Sequence, residues 1–458
     1  MKNSAQSVLR NYRSVPCLAF EHQRLTSFAG IVLFWQLFKN LQLLPRLEAC
    51  FEHLHRSSIF TYGRIALLLI VHVLAGYRRL RDIRFYKHDP LLKRVLGLNM
   101  LPDVSTISRI LATADGRCVQ NLRRLCRELI VLRLRTCSLA RITLDFDGSV
   151  FSTKRHAENS AVGYNKKHKG WRSYYPLFCT IAQTGQVFDL LHRPGNVHDS
   201  HDAQAFIASC IDEMRLALPG VIIEVRMDSA FFSMAIVSML INRAIHFTIS
   251  VPFERLVELK RKIESRQRWS ACGGDIAFFE ETWKPKCWDR ACRFLFVRTR
   301  EAVQSKEPIQ QDLFIPLEFG YAHKVILTNK TTSAAQVIDF HNGRGSQENV
   351  FAELKTDANM AYIPFNRLVP NQTYLLSAVL AHNLSREFQM ATSDKQRNTT
   401  FKRIQLWPFH HIGTIRRNII NRAGRLTEPG GVLTLTVSAD QKIAELFTTF
   451  NETLTIAA

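Results

Sequence analysis

The sequence predicts a chain of more than one domain, in which an all-α segment precedes an α/β domain built on a sheet. Helical apolar patterns run from Tyr62 to about Ser138, and strand-like alternation begins near Arg141. The elements that follow come in the order strand, strand, strand, helix, strand, helix, which is an α/β order. At 458 residues the chain is too long for one simple core, so two or three domains are expected.

The charge balance indicates a polyanionic partner. Lys and Arg number 61 against 39 Asp and Glu, which leaves a net charge of +22, and more than half of this excess lies in residues 1–140. Such a surplus favours nucleic acid as the partner, with an acidic membrane surface as the second candidate. Apolar residues make up 46% of the chain, so a sizeable core is expected and disorder is excluded.

No stretch of the sequence predicts a membrane span or an export signal. The longest apolar run, 65–75, is shorter than the roughly 20 residues that a span needs. The N-terminal residues contain no apolar core followed by a small-residue cleavage site. The ten cysteines include no C-x-x-C pair, and Cys287 and Cys292 have no histidines at zinc-finger spacing, so reduced cytoplasmic thiols are expected.

The helical segment is predicted to bind DNA. Its helices are expected at 31–44, 65–75, 81–86, 91–96 and 107–115. The stretch from Pro102 to Arg109 combines a proline, a hydroxyl N-cap and outward Ser, Thr and Arg side chains, as on a helix that lies against DNA; a capped surface helix would show the same pattern. Phosphate contacts are expected from the arginines of this segment: Arg78, Arg79, Arg81, Arg84, Arg123, Arg124, Arg127, Arg133 and Arg135.

Two predicted strands of the α/β segment end in aspartates. Residues 142–147 alternate, so that Asp145 and Asp147 leave one face of the strand. Residues 221–228 read as a buried strand that ends at Asp228. Between these two lie a predicted hairpin, 176–182 with 186–191, and a helix near 203–216. This order matches the ribonuclease-H-like arrangement.

The rest of the chain is predicted to complete and extend this domain. Strands at 276–282, 294–300, 312–317 and 324–328 form a mainly β insertion, an apolar helix at 373–384 closes the catalytic domain, and a basic tail contains a hairpin at 431–437. The predicted division is a helical DNA-binding domain at 1–138, a catalytic core at 139–250 and 333–392, the insertion at 251–332 and a basic C-terminal region at 393–458.

The segment from His341 to Lys355 supplies a third carboxylate. After Gly343 and Gly345 a helix is predicted, and its geometry stacks Arg344, Glu348 and Lys355 on one face. Ordinary ion pairing on a solvated helix would give the same spacing. Together with the two strand-end aspartates, however, Glu348 completes the kind of carboxylate set that holds Mg²⁺.

Three carboxylates from two strand ends and one helix point to phosphodiester chemistry. Packed together without compensation, Asp147, Asp228 and Glu348 would repel each other and take up protons. Two Mg²⁺ ions would keep all three ionised and would activate the attacking and leaving oxygens of an in-line displacement.

On these residues the chain resembles the DDE transposases of bacterial insertion sequences, closest to the family numbered thirteen-eighty and related to the IS-four group. Relatives in that group share a signature Y-x2-R-x3-E-x6-K, and Arg344, Glu348 and Lys355 stand at its spacings, with His341 in place of the Tyr. The similarity covers most of residues 60–430. Further matching segments are 76–77, 102–109, 163–165, 173–177, 193–196, 226–229 and 383–384.

The resemblance implies that Asp147, Asp228 and Glu348 are the catalytic and metal-binding acids. Asp145 is the rival for the first position, and Glu353 for the third, although five residues along a helix take Glu353 well round from Glu348. The resemblance also implies that Arg344 and Lys355 bind DNA phosphates and that His341 contributes to that binding. The cofactor implied is a pair of Mg²⁺ ions, with Mn²⁺ as a substitute.

Further candidates have simpler alternatives. The basic loop with Lys166 and Lys167 is expected near DNA, although a solvated loop would look the same. A metal cluster of His198, Asp199, His201 and Asp202 competes with ordinary helix capping. Trp283 and Trp288 would stack on an extruded base or pack in a core.

The predicted function is therefore that of a DNA transposase acting in the bacterial cytoplasm at the nucleoid. It would bind the terminal inverted repeats and the target DNA, as a homodimer on double-stranded DNA and without a membrane. Two alternatives remain open: a ribonuclease-H-like nuclease that cuts without joining, and a domesticated DNA-binding protein without catalysis.

Overall fold

The structure, a computed structural model, describes residues 15, 17–21, 23–54, 59–163, 165–197, 202–300, 320–398, 400–438 and 440–456. Within them the chain is a mixed α/β protein in which helices pack around one large sheet. Most buried apolar side chains of the helical segment, the sheet and the C-terminal part belong to one continuous core.

The N-terminal segment forms the helices expected from its apolar pattern. Helices α1 to α6 span Ile31–Asn40, Leu43–Ala49, Tyr62–Ala75, Pro90–Val95, Val104–Leu111 and Gly116–Cys137. The first predicted helix, 31–44, is in fact two helices, because Gln42 adopts a left-handed backbone conformation at φ 50° between α1 and α2. A short strand β1 at Leu25–Thr26 also lies in this segment, so it is not purely helical.

Nine of the described strands form the large sheet. Its central strands are β2 at Arg141–Gly148 and β8 at Ile222–Met227, which pair in parallel, and β9 at His246–Val251 continues the parallel set beyond β8. On the other side of β2, β6 at Leu177–Ile181 and β7 at Val187–Leu191 form the predicted antiparallel hairpin.

A second, three-stranded sheet follows β2. Its strands are β3 at Phe151–Thr153, β4 at Ala161–Val162 and β5 at Arg172–Tyr174. The segment between β4 and β5 carries the basic loop that the sequence analysis identified. This sheet therefore holds that loop beside the end of β2.

The strands after residue 250 continue the large sheet and do not form a separate one. They are β10 at Ser270–Ala271, β11 at Ile276–Trp283, β12 at Cys292–Arg300 and β13 at Tyr321–Thr328. Strand β13 pairs with β9 along its C-terminal half, so it joins the parallel part directly. The order of the whole sheet is β10-β11-β12-β13-β9-β8-β2-β6-β7. The predicted strand at 312–317 lies outside the described residues.

Helices cover the sheet on the remaining sides. Helices α7 to α12 span Ala203–Ala217, Met234–Asn242, Val257–Glu264, Ala334–Asn342, Gly345–Thr356 and Leu368–Ala391. Helix α12 is longer than the apolar run that predicted it and is buried along nearly its whole length. Phe388 near its end stacks on Phe34 of α1 at 4.6 Å between ring centroids, which joins the C-terminal and N-terminal halves.

The C-terminal region packs against the N-terminal helices. After the short helix α13 at Ile412–Ile415, strands β14 at Gly424–Thr427 and β15 at Thr434–Val437 form a small sheet together with β1. The last helix, α14 at Gln441–Ile456, lies against α1. In the described part of the chain no helix combines the length and the apolarity that crossing a membrane would require.

Candidate functional site

The register of the two central strands places Asp147 and Asp228 side by side. Strands β2 and β8 run parallel with Phe146 opposite Met227, so the next residue of each strand is one of the two aspartates. Adjacent strands lie about 4.8 Å apart, and side chains alternate between the two faces of a sheet. Both aspartates therefore leave the same edge of the sheet on the same face.

The rival aspartate, Asp145, lies beneath this edge in a buried ion pair. Its carboxylate accepts two hydrogen bonds from the guanidinium of Arg226, at 2.6 and 2.7 Å, and the two side chains are 1% and 0% exposed. Burial raises the pKa of the Asp145 carboxyl, while Arg226 opposes this rise. The Asp147 side chain is 20% exposed, so Asp147, and not Asp145, presents its carboxylate at the surface of this edge.

Helix α11, which carries Glu348, begins at the same edge. Arg344 at its N-cap donates to the Asp147 carboxylate at 3.3 Å, and the amide of Gln347 donates to the backbone carbonyl of Asp145 at 3.0 Å. Phe351 packs against Phe178, the residue opposite Asp147 on β6, at 5.3 Å between ring centroids. The exposed Glu348 therefore stands in the first turn of a helix that is fixed to the end of β2.

Arg226 also ties this helix to the sheet from below. Besides binding Asp145, its guanidinium donates to the backbone carbonyls of Phe340 and Lys402, each at 2.9 Å. Gly343 lies against these groups: a Cβ atom there would stand 1.9 Å from the Lys402 carbonyl oxygen and 2.1 Å from the Arg226 Nη1. The turn between α10 and α11 thus requires a glycine at this position.

Glu353, the rival for the third acid, faces away from the site. It is 1% exposed, pairs with Arg386, lies 3.7 Å from His382 and accepts a hydrogen bond from the backbone N–H of Ile412. Burial alone would raise the pKa of its carboxyl, but His382 and Arg386 outweigh burial and lower it to about 2. These contacts give Glu353 a structural role.

His341 does not lie at the surface, so the expected contact of its ring with a phosphate does not fit the structure. The side chain is 2% exposed, and its ring nitrogens face the hydroxyls of Thr248 at 3.0 Å and Ser250 at 2.9 Å on β9. Burial, together with the charges of Lys324 and Arg344, lowers its pKa well below the usual value. A neutral His341 therefore supports α10 against the sheet.

Two lysines stand around the acidic edge. Burial and the charge of Arg344 lower the pKa of Lys324 on β13, while Glu348 raises it, which places this lysine beside the first turn of α11. Burial and the charge of Lys167 lower the pKa of Lys355, while Asp147 raises it. Lys355 lines the same cleft as Lys167 and Gly148, the residue after Asp147.

The donor set at this edge fits divalent cations. Among the described residues, the carboxylate oxygens of Asp147, Asp228 and Glu348 do not all lie within 4.8 Å of one another. A two-metal site does not require this, because ions about 3.5–4 Å apart with ligands at about 2.0–2.1 Å permit ligand oxygens roughly 8 Å apart. The carboxylate of Asp147 already attracts the cationic Arg344, so the edge is electrostatically suited to positive charge.

Two adjoining clefts with basic walls lead to this edge. The first has a volume of about 860 Å³, and its lining includes Gly148 next to Asp147, Lys166 and Lys167 of the basic loop, and Lys355. The second, about 560 Å³, is lined by Arg79, Arg81, Ser108, Lys154, Arg155 and Trp171. The two clefts share Ser152 and Ala361, so together they extend from helix α5 to Gly148, the neighbour of Asp147.

Only some of the basic residues that were predicted to contact DNA are available to do so beside these two clefts. Arg109 is exposed on α5. Arg123 and Arg127, by contrast, both bind the buried Asp189, and Arg133 binds Glu387. These three arginines of α6 anchor the helix to β7 and α12, so the expected phosphate contacts do not fit them.

The two tryptophans suggested for base stacking pack inside the protein, and most of the suggested metal cluster lies outside the described residues. Trp283 donates to Glu258 at 3.2 Å, and Trp288 stacks on Phe232 at 5.1 Å between ring centroids, so both pack within the protein. Residues 198–201, which include three of the four members of the suggested metal cluster, lie outside the described residues.

One family model matches the chain over almost its entire length. The sequence model of the family "Transposase DDE domain group 1" matches residues 10–457. Among solved structures, the cryo-EM structure of a piggyBac transposase synaptic complex with hairpin DNA is similar over 85% of this chain and 79% of that chain, with a TM-score of 0.43 and 11% identity.

Shorter similarities were found to the Mos1 mariner transposase. Its paired-end complex with Mn is similar over 37% of this chain and 56% of that chain, with a TM-score of 0.17 and 11% identity. A comparison with curated protein sequences gives no match. The family model spans nearly the whole chain.

Proposed function

Because the chain belongs to the DDE transposases of the family "Transposase DDE domain group 1", we propose that it binds the terminal inverted repeats of an insertion sequence and cleaves and joins DNA there, in the bacterial cytoplasm. The observation that carries the proposal is the parallel register of β2 and β8, which sets Asp147 and Asp228 next to each other at one sheet edge. The contacts of Arg344 with Asp147 and of Gln347 with the Asp145 carbonyl, which hold the start of helix α11 at this edge, support Glu348 as the third acid.

The strand order supports a ribonuclease-H-like core. In the order β7-β6-β2-β8-β9 the antiparallel hairpin β6-β7 lies on one side of β2, and the parallel strands β8 and β9 lie on the other. Carboxylates at the ends of the two central strands are then accessible from the solvent side of that edge. This strand order is the observation that supports the proposed core.

Asp147, Asp228 and Glu348 would hold two Mg²⁺ ions, with Mn²⁺ as a substitute. When bound, such ions compensate the carboxylate charges and polarise the oxygens of a phosphodiester. The residues of the chain position the DNA: Lys355 and Arg344 flank Asp147, and both are suited to phosphate oxygens. No nucleophilic side chain is needed, since water and then a DNA 3′-hydroxyl would attack in turn.

The two adjoining clefts would carry the DNA. Phosphates would lie along Lys166 and Lys167 in the first cleft and reach α5, with Arg109, at the far end of the second. Contacts of this kind position a duplex and do not read its sequence. A homodimer would bring two transposon ends together, which light scattering of the protein with and without end DNA would test.

The test is a cleavage and joining assay with labelled DNA that carries the element's ends, in Mg²⁺ or EDTA. Wild-type protein is expected to nick at the ends and to join the released 3′-hydroxyl to target DNA. The variants Asp147→Asn, Asp228→Asn and Glu348→Gln are expected to bind the DNA and to do neither. Glu445→Gln, an exposed acid on α14, is the matched control and should behave as wild type.

Each outcome of this assay has one meaning. Nicking without joining by the wild type would establish a nuclease in place of a transposase. Tight binding without any cleavage would establish a DNA-binding protein without catalysis. Strand transfer that survives in Asp228→Asn would refute the assignment of the three acids.

A further inference from the structure

A cluster of metal-binding side chains lies far along the chain from the three acids, among the N-terminal helices. His53 follows helix α2, and Asp115 and Cys118 stand at the start of helix α6. Within the described residues, these three form the group of His, Cys, Asp or Glu side chains whose ligand atoms all lie within 4.8 Å of one another.

The distances within the cluster are those of ligands around one small cation. His53 Nε2 lies 3.1 Å from the Asp115 carboxylate, Cys118 Sγ lies 3.2 Å from that carboxylate, and Cys118 Sγ lies 3.8 Å from His53 Nε2. Tetrahedral zinc with its usual bond lengths separates such ligand atoms by roughly 3.3–3.6 Å. Shifts of a few tenths of an ångström would therefore seat all three on one ion.

A fourth donor is available from the same region. Cys50 stands three residues before His53, as Asp115 stands three residues before Cys118, so the ligands form a C-x2-H and a D-x2-C pair. Cys50 is buried, and its Sγ donates to the backbone carbonyl of Arg46 at 3.3 Å. Asn121, on the same helix as Cys118, donates to the Cys50 backbone carbonyl at 3.1 Å, which holds Cys50 against the start of α6.

We propose that His53, Asp115 and Cys118 bind a zinc ion, with Cys50 or a water molecule in the fourth position. The donor set of imidazole, thiolate and carboxylate is borderline-soft, which suits Zn²⁺ and not Mg²⁺. Binding would displace the proton of the Cys118 thiol to solvent. The half-exposed Asp115 side chain gives the ion a route from solvent.

The site would have a structural purpose. It would fasten the turn after α2 to the start of α6 and so fix the corner at which α5, with Arg109, meets α6. The inference is independent of the catalytic proposal, since it involves different residues and a different metal.

The test measures metal content and the spectrum of a cobalt-substituted protein, with the full chain and without an affinity tag. Wild-type protein grown with zinc is expected to contain about one zinc per chain, and its Co²⁺ form to show a thiolate-to-cobalt charge-transfer band. Cys118→Ser should lose both the band and the zinc. Cys137→Ser, a thiol at the other end of the same helix, should keep both.

A second variant separates metal binding from folding. Asp115 caps α6 by accepting a hydrogen bond from the Cys118 N–H, and serine is an equally good cap. Asp115→Ser should therefore keep the helix, checked by circular dichroism, and lose the zinc. Zinc below about 0.1 per chain in the wild type, or zinc unchanged in both Asp115→Ser and Cys118→Ser, would overturn the proposal. The cobalt spectrum of Cys50→Ser decides the fourth ligand.

Discussion

Replacing Arg226 by Met should destabilise the protein far more than any change at the exposed edge of the site. The substitution leaves the Asp145 carboxylate buried without its cation. It also removes the group that donates hydrogen bonds to the backbone carbonyls of Phe340 and Lys402. Breaking a buried ion pair from one side costs about 3–5 kcal/mol. Arg344→Met is the matched control: its pair with Asp147 is a single contact of 3.3 Å between side chains that are about one-fifth exposed, and its loss should cost less than about 1 kcal/mol.

The assay is denaturant unfolding of the two variants, of wild type and of the double variant Asp145→Leu with Arg226→Met. The double variant should recover at least about 2 kcal/mol, because no charge is left unpaired. In Arg226→Met the main opposition to the burial that raises the pKa of Asp145 is lost, and the charge of Arg344 is left to oppose it. A carboxyl whose pKa is raised by folding loses stability as pH rises, so the deficit should be smaller at about pH 5 than at about pH 8. A deficit below about 1 kcal/mol, or a double variant no better than the single one, would refute the reasoning.

Three further predictions concern the turn before α11, the buried Glu353 and the basic loop. Gly343→Ala should lower the free energy of unfolding by about 1–3 kcal/mol and reduce cleavage, because the added Cβ would meet backbone atoms and a buried guanidinium. Gly345→Ala is the control: a Cβ there has nothing within 4 Å, so in the same unfolding assay it should be neutral or stabilising by up to about 1 kcal/mol. The pKa of Glu353 falls from 4.5 to about 2 on folding, so its contribution to stability is present above about pH 4.5 and is lost as pH falls towards 2. Glu353→Gln should therefore reduce the loss of unfolding free energy between these pH values by on the order of 3 kcal/mol. An unchanged pH profile of stability would contradict the ion pairing of Glu353. Replacing Lys166 and Lys167 together by Ala should weaken binding of any duplex and reduce the slope of log K against log salt by about 2, while an unchanged slope would place the loop away from DNA.

Much of the fold could be predicted from local patterns. The alternation at 142–147 and the apolar run at 221–228 are produced by residues that are neighbours in the chain, and both form strands where expected. The helix of 31–44 was predicted as one because the apolar pattern continues through Gln42, whose left-handed backbone leaves no trace in that pattern. The strands after residue 250 were predicted as strands, but their pairing with β9 depends on contacts between distant segments.

Part of the candidate site could also be predicted from the sequence, because it depends on local patterns. The spacing of Arg344, Glu348 and Lys355 is a local feature, and so is the position of an aspartate at each strand end. Arg226 was missed as a supporting residue, although an arginine inside an apolar strand, two residues before Asp228, signals a buried partner. That Asp145, also two residues before a strand-end aspartate, is this partner follows only from the parallel register.

The sequence by itself indicated a DDE transposase through the resemblance of its motifs. The periodicity of its apolar residues predicted the mixed α/β class, and its spacing singled out carboxylates of the kind that bind divalent metal ions. The tertiary structure decided which charged side chains are exposed and which form ion pairs inside the protein. In the structure His341 and Glu353 are buried. Arg123 and Arg127 form ion pairs with Asp189, and the ring of His53 contacts the thiol of Cys118. Burial and pairing are properties of segments that meet in space, and no spacing in the sequence encodes them.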